Sequence, residues 1–379
     1  MIYLDNAATK ATLDIAKKAM ELYQNKYYAN PSSNYGFAER SKNVIEKTRK
    51  NIADILNVLP EEIYFTSGGT ESDNWAIKNT ALENVHRGNH IISSKIEHHA
   101  VLNSLKYLEN NGFKVSYARV FENGRVDVNS IKRLTTDKTT LITCMMANNE
   151  TGVIQPIEEI GSFTRDKNIV FHTDAVQTFT HIPIDCKKSN IDMLSASAHK
   201  FGGPKGVGFL YINNANKLLP YIHGGSQERG MRGGTSNVAG IAGMGAAAVE
   251  SVKNMKEWNR KTKELRDYMA LRLLKEIPFA RINGDMENRL DNNLNLSFQY
   301  VDGFTLLELL DAKGICASGA SACKSADKEP SHVLRAMGIP DEISKGTIRM
   351  TLSENNTMEE IEEVIEEIKR NVENLRKIH

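Results

Sequence analysis

Apolar positions recur at helical spacing from Phe37 through Val44, Ile45, Ile52, Ile55 and Leu56, which predicts an amphipathic helix there. "EIYFTSGGTESDN" follows: a short β-rich run breaks at Gly68-Gly69, and Thr70 and Glu71 open a new helix with N-terminal chemistry. "NHIISSKIEHHA" and "KVSYARV" read as strands, separated by a helix from about Ala100 to Asn110. "TLITCMMANNETG" reads as a buried strand and "IEEIGSFTRDKN" as a helix. "IVFHTDAVQ", "DMLSASA" and "GVGFLYI" supply three more strands. The β and α alternation over roughly residues 60–210 predicts an α/β unit, a mostly parallel sheet with helices on both faces.

The pattern then changes. A long helix is expected from Val238 to about Glu276, with a weak point near Asn254. The strand "NLNLSFQY", in which Leu294, Leu296 and Phe298 alternate, precedes the helix "FTLLELLDAKG", the strand "GTIRMTLS" and a C-terminal helix. These form an α+β appendage, and no internal repeat is seen. The expected division is a large domain over residues 15–255 and a small one built from residues 1–14 and 256–379. The small domain carries "ASGASACKSADKEP", Ala317 to Pro330, a loop too long and polar for a plain turn.

Composition narrows the class. The 379 residues hold 48 Lys+Arg against 47 Asp+Glu, a net charge of +1 that gives no pull toward nucleic acid or an acidic partner. No stretch approaches the ~18 apolar residues of a membrane span, and "MIYLDNAATK" lacks the basic and apolar regions of a secretory signal. A cytoplasmic protein is expected. The four cysteines, Cys144, Cys186, Cys316 and Cys323, form no CxxC, so neither a zinc site nor a disulfide scaffold is indicated. Cys144 falls inside an apolar run and reads as a core residue.

Candidate chemistry centres on "SASAHKFGGPKGVGF", Ser195 to Phe209, which delivers Lys200 where a strand stops and glycines begin. A solvated loop lysine is the ordinary reading. The alternative is an amine held in a pocket, where desolvation favours its neutral, nucleophilic form. Pyridoxal phosphate is the aldehyde that proteins bind this way. Its ring nitrogen needs an acid partner, its phosphate needs donors, and its ring needs a flat group against it. Asp174 ends a strand and could pair the nitrogen, and Gln177 could reach the ring oxygen. The glycine turn with Thr70 opens a helix whose N–H groups suit a phosphate, as do Ser197 and His199, and His98 could stack on the ring. Each has a plainer reading alone: a strand-end cap, a simple turn, a surface or core histidine. Together they end strands of one parallel sheet, the edge where such folds bind ligands.

With "YLDNAAT", "NPSS", "TSGGTESDN", "NNETG", "HTDAVQ", "GMRGGT" and "SGASACKSADKEPSHVLRAMG", the chain resembles the NifS/IscS-type cysteine desulfurases, class-V aminotransferase-type enzymes. The resemblance runs in order from Tyr3 to Arg349. It implies a fold-type I pyridoxal phosphate enzyme with a mostly parallel seven-stranded sheet and a smaller α+β domain. It implies that Lys200, rather than its neighbour Lys205, bonds to the cofactor aldehyde. Asp174 then pairs with the ring nitrogen and Gln177 with the ring oxygen. Gly69, Thr70, Ser197 and His199 hold the phosphate, and Thr235 reaches a phosphate in the other subunit of a homodimer. His98 stacks on the ring and shuttles protons, while Asn149, beside the cofactor, and Arg349 hold the substrate carboxylate.

The implied reaction takes L-cysteine to L-alanine and leaves the sulfur on Cys323 as a persulfide. The sulfur would pass to an acceptor protein, an iron–sulfur scaffold or a thiolation enzyme acting on tRNA or cofactors. No nucleic acid is bound directly and no membrane is involved. No resident metal is expected, with Cys323 a candidate for transient ligation of an iron–sulfur cluster. A selenocysteine lyase or another class-V enzyme is the alternative, then a non-catalytic partner-binding homologue. Tyr35, Ala38, Ser226 and Lys324 depart from the family pattern, the last two near acceptor choice and loop packing. The chain also ends soon after its last helix, without the longer tail some members use to dock a scaffold protein.

Overall fold

Successive residues of a strand face opposite sides, and this chain uses both sides as core. The computed structural model describes residues 1–216, 218–319 and 330–378. Its main sheet holds β1 (Ile63–Thr66), β2 (His90–Ser94), β3 (Lys114–Ala118), β4 (Thr139–Thr143), β5 (Val170–Asp174), β6 (Met193–Ser197) and β7 (Gly208–Ile212). Their spatial order is β1-β7-β6-β5-β4-β2-β3. The pairs among β6, β5, β4, β2 and β3 are parallel, and β7 runs antiparallel to both β1 and β6.

Ile92, Ile142, Phe171, Leu194 and Phe209 join one hydrophobic cluster, while their chain neighbours Ile91, Leu141, Val170, Met193 and Leu210 join another. The helix Gly69–Glu83 covers the second face through Trp75, Ala76 and Ile77. The first face is covered partly by the helix Val238–Glu276, through Ile241, Met244, Ala247 and Ala248. Both layers shield the strands from water, which is why they read as near-continuous apolar runs.

The 39-residue helix Val238–Glu276 spans about 58 Å and runs unbroken through Asn254, against the expected weak point. The Asn254 side-chain amide turns back onto the Glu250 carbonyl at 2.9 Å, so it adds a bond along the helix rather than competing with it. The far half of the helix packs Leu265, Met269 and Leu273 into a separate cluster with Ile2, Leu4, Leu294, Leu296, Phe298, Ile348, Met350 and the C-terminal helix Met358–Ile378. An antiparallel sheet in the order Ser318–Gly319, Thr347–Thr351, Asn293–Phe298, Ala280–Ile282 runs through that cluster. The N-terminal strand Ile2–Tyr3 pairs parallel with Ile315–Cys316, which brings the first residues of the chain to its last third. One late segment goes the other way: Val333, Leu334, Met337 and Ile339 pack into the main-sheet core. Among the described residues, no helix is long and apolar enough to cross a membrane.

Candidate active site

The face beneath the helix Gly69–Glu83 changes character along its length. Leu141, Val170 and Met193 are apolar, and two residues on, the same face presents Thr143, His172 and Ser195. Asp174 and Ser197 follow at the strand ends. All five polar residues are buried. The parallel register therefore gathers polar side chains at the C-terminal edge of the sheet.

Beyond β6 the chain makes one 3-10 turn, Ala198–Lys200. Gly202 then takes φ +83°, a conformation that strains any side chain, and turns the backbone away against Leu13. Lys200 is left with its Nζ donating to the carbonyls of Ala7 at 2.7 Å and Ala8 at 2.8 Å. Gln177 Nε2 donates to the same Ala7 carbonyl at 3.0 Å, and the Lys10 N–H to the His199 carbonyl at 2.9 Å. The N-terminal segment thus straps across the lysine. Lys205, its rival in the sequence, is exposed.

Asp174 is 5% exposed, and its Oδ1 accepts the Val176 N–H at 2.9 Å. Burial pushes its carboxyl up to about 6, against the opposing pull of the Lys200 charge. His98 is the N-cap of the helix His99–Asn110, and its Nδ1 accepts the Ala100 N–H at 3.2 Å. That bond leaves the proton on Nε2. Burial, then the Lys200 charge, holds the ring down to about 4, so His98 is a neutral flat ring at pH 7. His199 is held down to about 4 by burial and the same lysine, with Nδ1 3.2 Å from the Thr9 hydroxyl.

Gly68 and Gly69 lie flush against Ser197. Gly68 has φ +150°, and a Cβ there would stand 3.5 Å from Ser197 Oγ, while one on Gly69 would strike Val176 Cγ2 at 2.5 Å. A 15-residue helix starts at this point with Thr70 exposed in its first turn, so its leading N–H groups and dipole favour an anion. A cofactor phosphate suits this cradle, and an ionised Asp174 suits a ring cation. Thr235 is exposed. Three residues before it, Arg232 grips Glu71 in the first turn of the same helix with bonds of 2.8 and 3.1 Å.

Arg349 lies mid-strand in the smaller sheet, 2% exposed. Its Nη2 donates to Asp5 Oδ1 at 2.6 Å and its Nη1 to the Asn149 carbonyl at 3.1 Å, while Nε is buried with no partner. A guanidinium with an unmet N–H is suited to a second carboxylate, which would compete with Asp5. Cys323 and Lys324 lie outside the described residues.

Several buried polar and titratable groups escaped the sequence reading. Asp73, His172 and Ser195 form a polar layer beneath Asp174, and "TESDN" and "HTDAVQ" contain two of them. Glu97 accepts the Ser94 hydroxyl and the Met145 N–H, and burial pushes it up to about 8. Glu150 accepts the Ser331 hydroxyl and is pushed up to about 7 by burial.

These shifts set a pH dependence of stability. His98, His181 and His199 are held at about 4 and His172 at about 3. Unfolded, they protonate near ~6.5, so their contribution is present above that pH and is lost as pH falls. Glu97 and Glu150 act oppositely: their contribution is present below about pH 4 and lost as pH rises to about 8 and about 7. Asp174 and Asp73, also raised, act in the same direction as the two glutamates, so urea-unfolding free energies should peak between about pH 5 and 7 and fall on both sides by on the order of a few kcal/mol. A maximum below pH 5 would contradict this assignment of buried charge.

The chain matches the aminotransferase class-V family over residues 2–364. It is 48% identical over 375 residues to cysteine desulfurase IscS of Methanosarcina thermophila, covering 99% of this chain and 93% of the relative. Identity to cysteine desulfurase IscS of Dictyoglomus turgidum is 45% over 377 residues, covering 100% and 96%. A solved NifS-like protein superposes with a TM-score of 0.93 at 39% identity, over 98% of this chain and 99% of that one. A structure described as SspA in complex with cysteine matches with a TM-score of 0.83 at 35% identity, over 94% and 100%. By sequence and fold together, the chain belongs to the class-V aminotransferase family of pyridoxal phosphate enzymes, within its cysteine desulfurase branch.

Proposed function

We propose that this protein is a pyridoxal phosphate-dependent cysteine desulfurase that releases L-alanine from L-cysteine and keeps the sulfur on Cys323. One observation supports the reading most: Asp174 at the end of β5, Lys200 just after β6 and the His98 ring after β2 gather at the C-terminal edge of the parallel strands. Pyridoxal phosphate, when bound, supplies an electrophilic aldehyde and a ring cation that accepts an electron pair.

The chain's own residues do the rest. Lys200 holds the cofactor covalently, then takes the Cα proton of the substrate. Asp174, ionised above about pH 6, balances the ring cation, and Gln177 faces the ring oxygen. Gly69, Thr70, Ser197 and His199 cradle the phosphate. His98 covers the ring and offers Nε2–H. Arg349 turns its free Nε toward the substrate carboxylate beside Asn149, and Asp5 gives way.

The Cys323 thiolate attacks the substrate sulfur. The S–S bond forms, the Cβ–S bond breaks, and its electron pair goes to carbon, which is protonated to alanine. Thr235 serves a second copy of the chain in a homodimer. The division into residues 15–255 and 1–14 with 256–379 is part of the same reading, supported by the separate core clusters, with residues 333–339 joined to the larger one. A cytoplasmic setting and an acceptor protein for the sulfur complete it.

The test is turnover. Protein loaded with pyridoxal phosphate and given L-cysteine with a reducing thiol should release alanine and sulfide in equal amounts. Pyruvate and sulfide in place of alanine, or a rate that requires selenocysteine, would overturn the reading in favour of another class-V activity.

A further inference from the structure

Asp73 sits on the helix Gly69–Glu83, one turn beyond the glycine cradle, and points at the sheet. It is 1% exposed, and its Oδ1 has no hydrogen-bond partner although it stands 3.6 Å from His172 Nε2. His172 is already committed at both nitrogens, Nδ1 to the Thr143 hydroxyl at 2.9 Å and Nε2 to the Ser195 hydroxyl at 3.0 Å. Ser195 is the register partner of Asp174 across β5 and β6, and its hydroxyl meets His172 Nε2. The layer beneath Asp174 thus holds a second carboxyl group with an oxygen that meets no donor.

We propose that Asp73 is a positioning residue that retains its carboxylic proton and so leaves Asp174 as the anionic member of a buried pair. Two carboxyl groups buried in adjoining layers of one site do not both ionise cheaply, and environment decides which one does. Asp174 has the Val176 N–H and the Lys200 charge to favour its anion. Asp73 faces the Asp174 anion, which is unfavourable to a second negative charge, and its Oδ1 has no donor to offset it. His172 offers no compensating cation, because burial holds it neutral down to about 3. An unpartnered carboxylate oxygen would forfeit the full cost of its lost hydration, whereas a protonated acid loses far less. Burial and the Asp174 charge raise Asp73 well above the usual carboxylate range, in the same direction. The consequence for chemistry is that the ring partner stays charged at neutral pH without a second anion beneath it.

This inference rests on Asp174 as the ring partner, but its test reads a proton rather than turnover. Holoprotein labelled with 13C-aspartate is compared by infrared difference with unlabelled holoprotein at pH 7, where a buried protonated aspartic acid gives a C=O band separate from ionised carboxylates. The label keeps Glu97 and Glu150 out of the difference. The band should be present in wild type and absent in Asp73→Asn. If Asp73→Asn does not fold, Asp174→Asn decides instead: the band survives there if Asp73 holds the proton and vanishes if Asp174 does. No band in wild type would overturn the proposal outright.

A second readout separates positioning from mere packing. With Asp73 already neutral, Asp73→Asn should leave the acid limb of cofactor binding, read from the visible absorption against pH, within about half a unit of wild type. A downward move of about one unit or more would mean that a negative charge had been removed, and that Asp73 is ionised in the native protein.

Discussion

Replacing Lys200 by alanine should lower alanine formation from L-cysteine by about 10⁴-fold or more, because one side chain supplies both the covalent hold on the cofactor and the base for the Cα proton. The loss should not come from unfolding. Lys200 is half-buried and donates to two backbone carbonyls, Ala7 and Ala8, rather than filling the core. Losing those bonds costs about 1–3 kcal/mol of a typical stability of about 5–15, so the variant folds. Lys200→Arg sharpens the test, since a guanidinium can keep the carbonyl contacts but stays protonated and neither bonds to an aldehyde nor takes a proton. It should be as inactive as the alanine variant in the alanine assay. Lys205→Ala, at an exposed position of the same motif, should turn over normally. Loss of turnover in Lys205→Ala with its survival in Lys200→Arg would reassign the amine.

What the sequence made legible is the part written at strand ends. Asp174, Ser197 and Lys200 all follow apolar runs that stop abruptly, and the structure places all three at one edge. The alternation of Leu141 with Ile142 or Met193 with Leu194 could not show two separate cores, since a strand buried on both faces reads as a continuous apolar run. The direction of β7 was equally hidden: "GVGFLYI" has the same pattern whichever way it points. Long-range pairs were out of reach for a different reason. Asp5 and Arg349 lie 344 positions apart, and each alone is an ordinary charged residue. The pairing of Ile2–Tyr3 with Ile315–Cys316, followed by the bonds of Asn6 to Thr351 and Lys10 to His199, brings the N-terminal segment to the site, and with it the carbonyls that hold Lys200. Nothing in "TESDN" marks Asp73 as buried, because its depth depends on a sheet face assembled from three strands.

Cys323→Ser should abolish sulfur transfer while leaving the cofactor in place. A serine hydroxyl is scarcely ionised at neutral pH, whereas a thiol near ~8.5 is partly thiolate, and only the thiolate attacks a sulfur atom. The other cysteines are poor substitutes. Cys144 and Cys186 are buried, and burial pushes both thiols up, away from the reactive anion. Cys316 is half-buried in the short strand paired with Ile2–Tyr3, where its backbone is fixed by the ladder. Alanine formation in Cys323→Ser should therefore fall by about 10³-fold or more. Mass spectrometry after one turnover should find an extra sulfur atom on wild type and none on the variant. The visible absorption of the bound cofactor should persist, because Lys200, Asp174 and the glycine cradle are untouched, and that separates lost chemistry from lost fold. Cys316→Ser, made in parallel, should retain both alanine and bound sulfur. If Cys323→Ser formed alanine at the wild-type rate, a different thiol would have to take the sulfur, and Cys323 would have no part in the reaction.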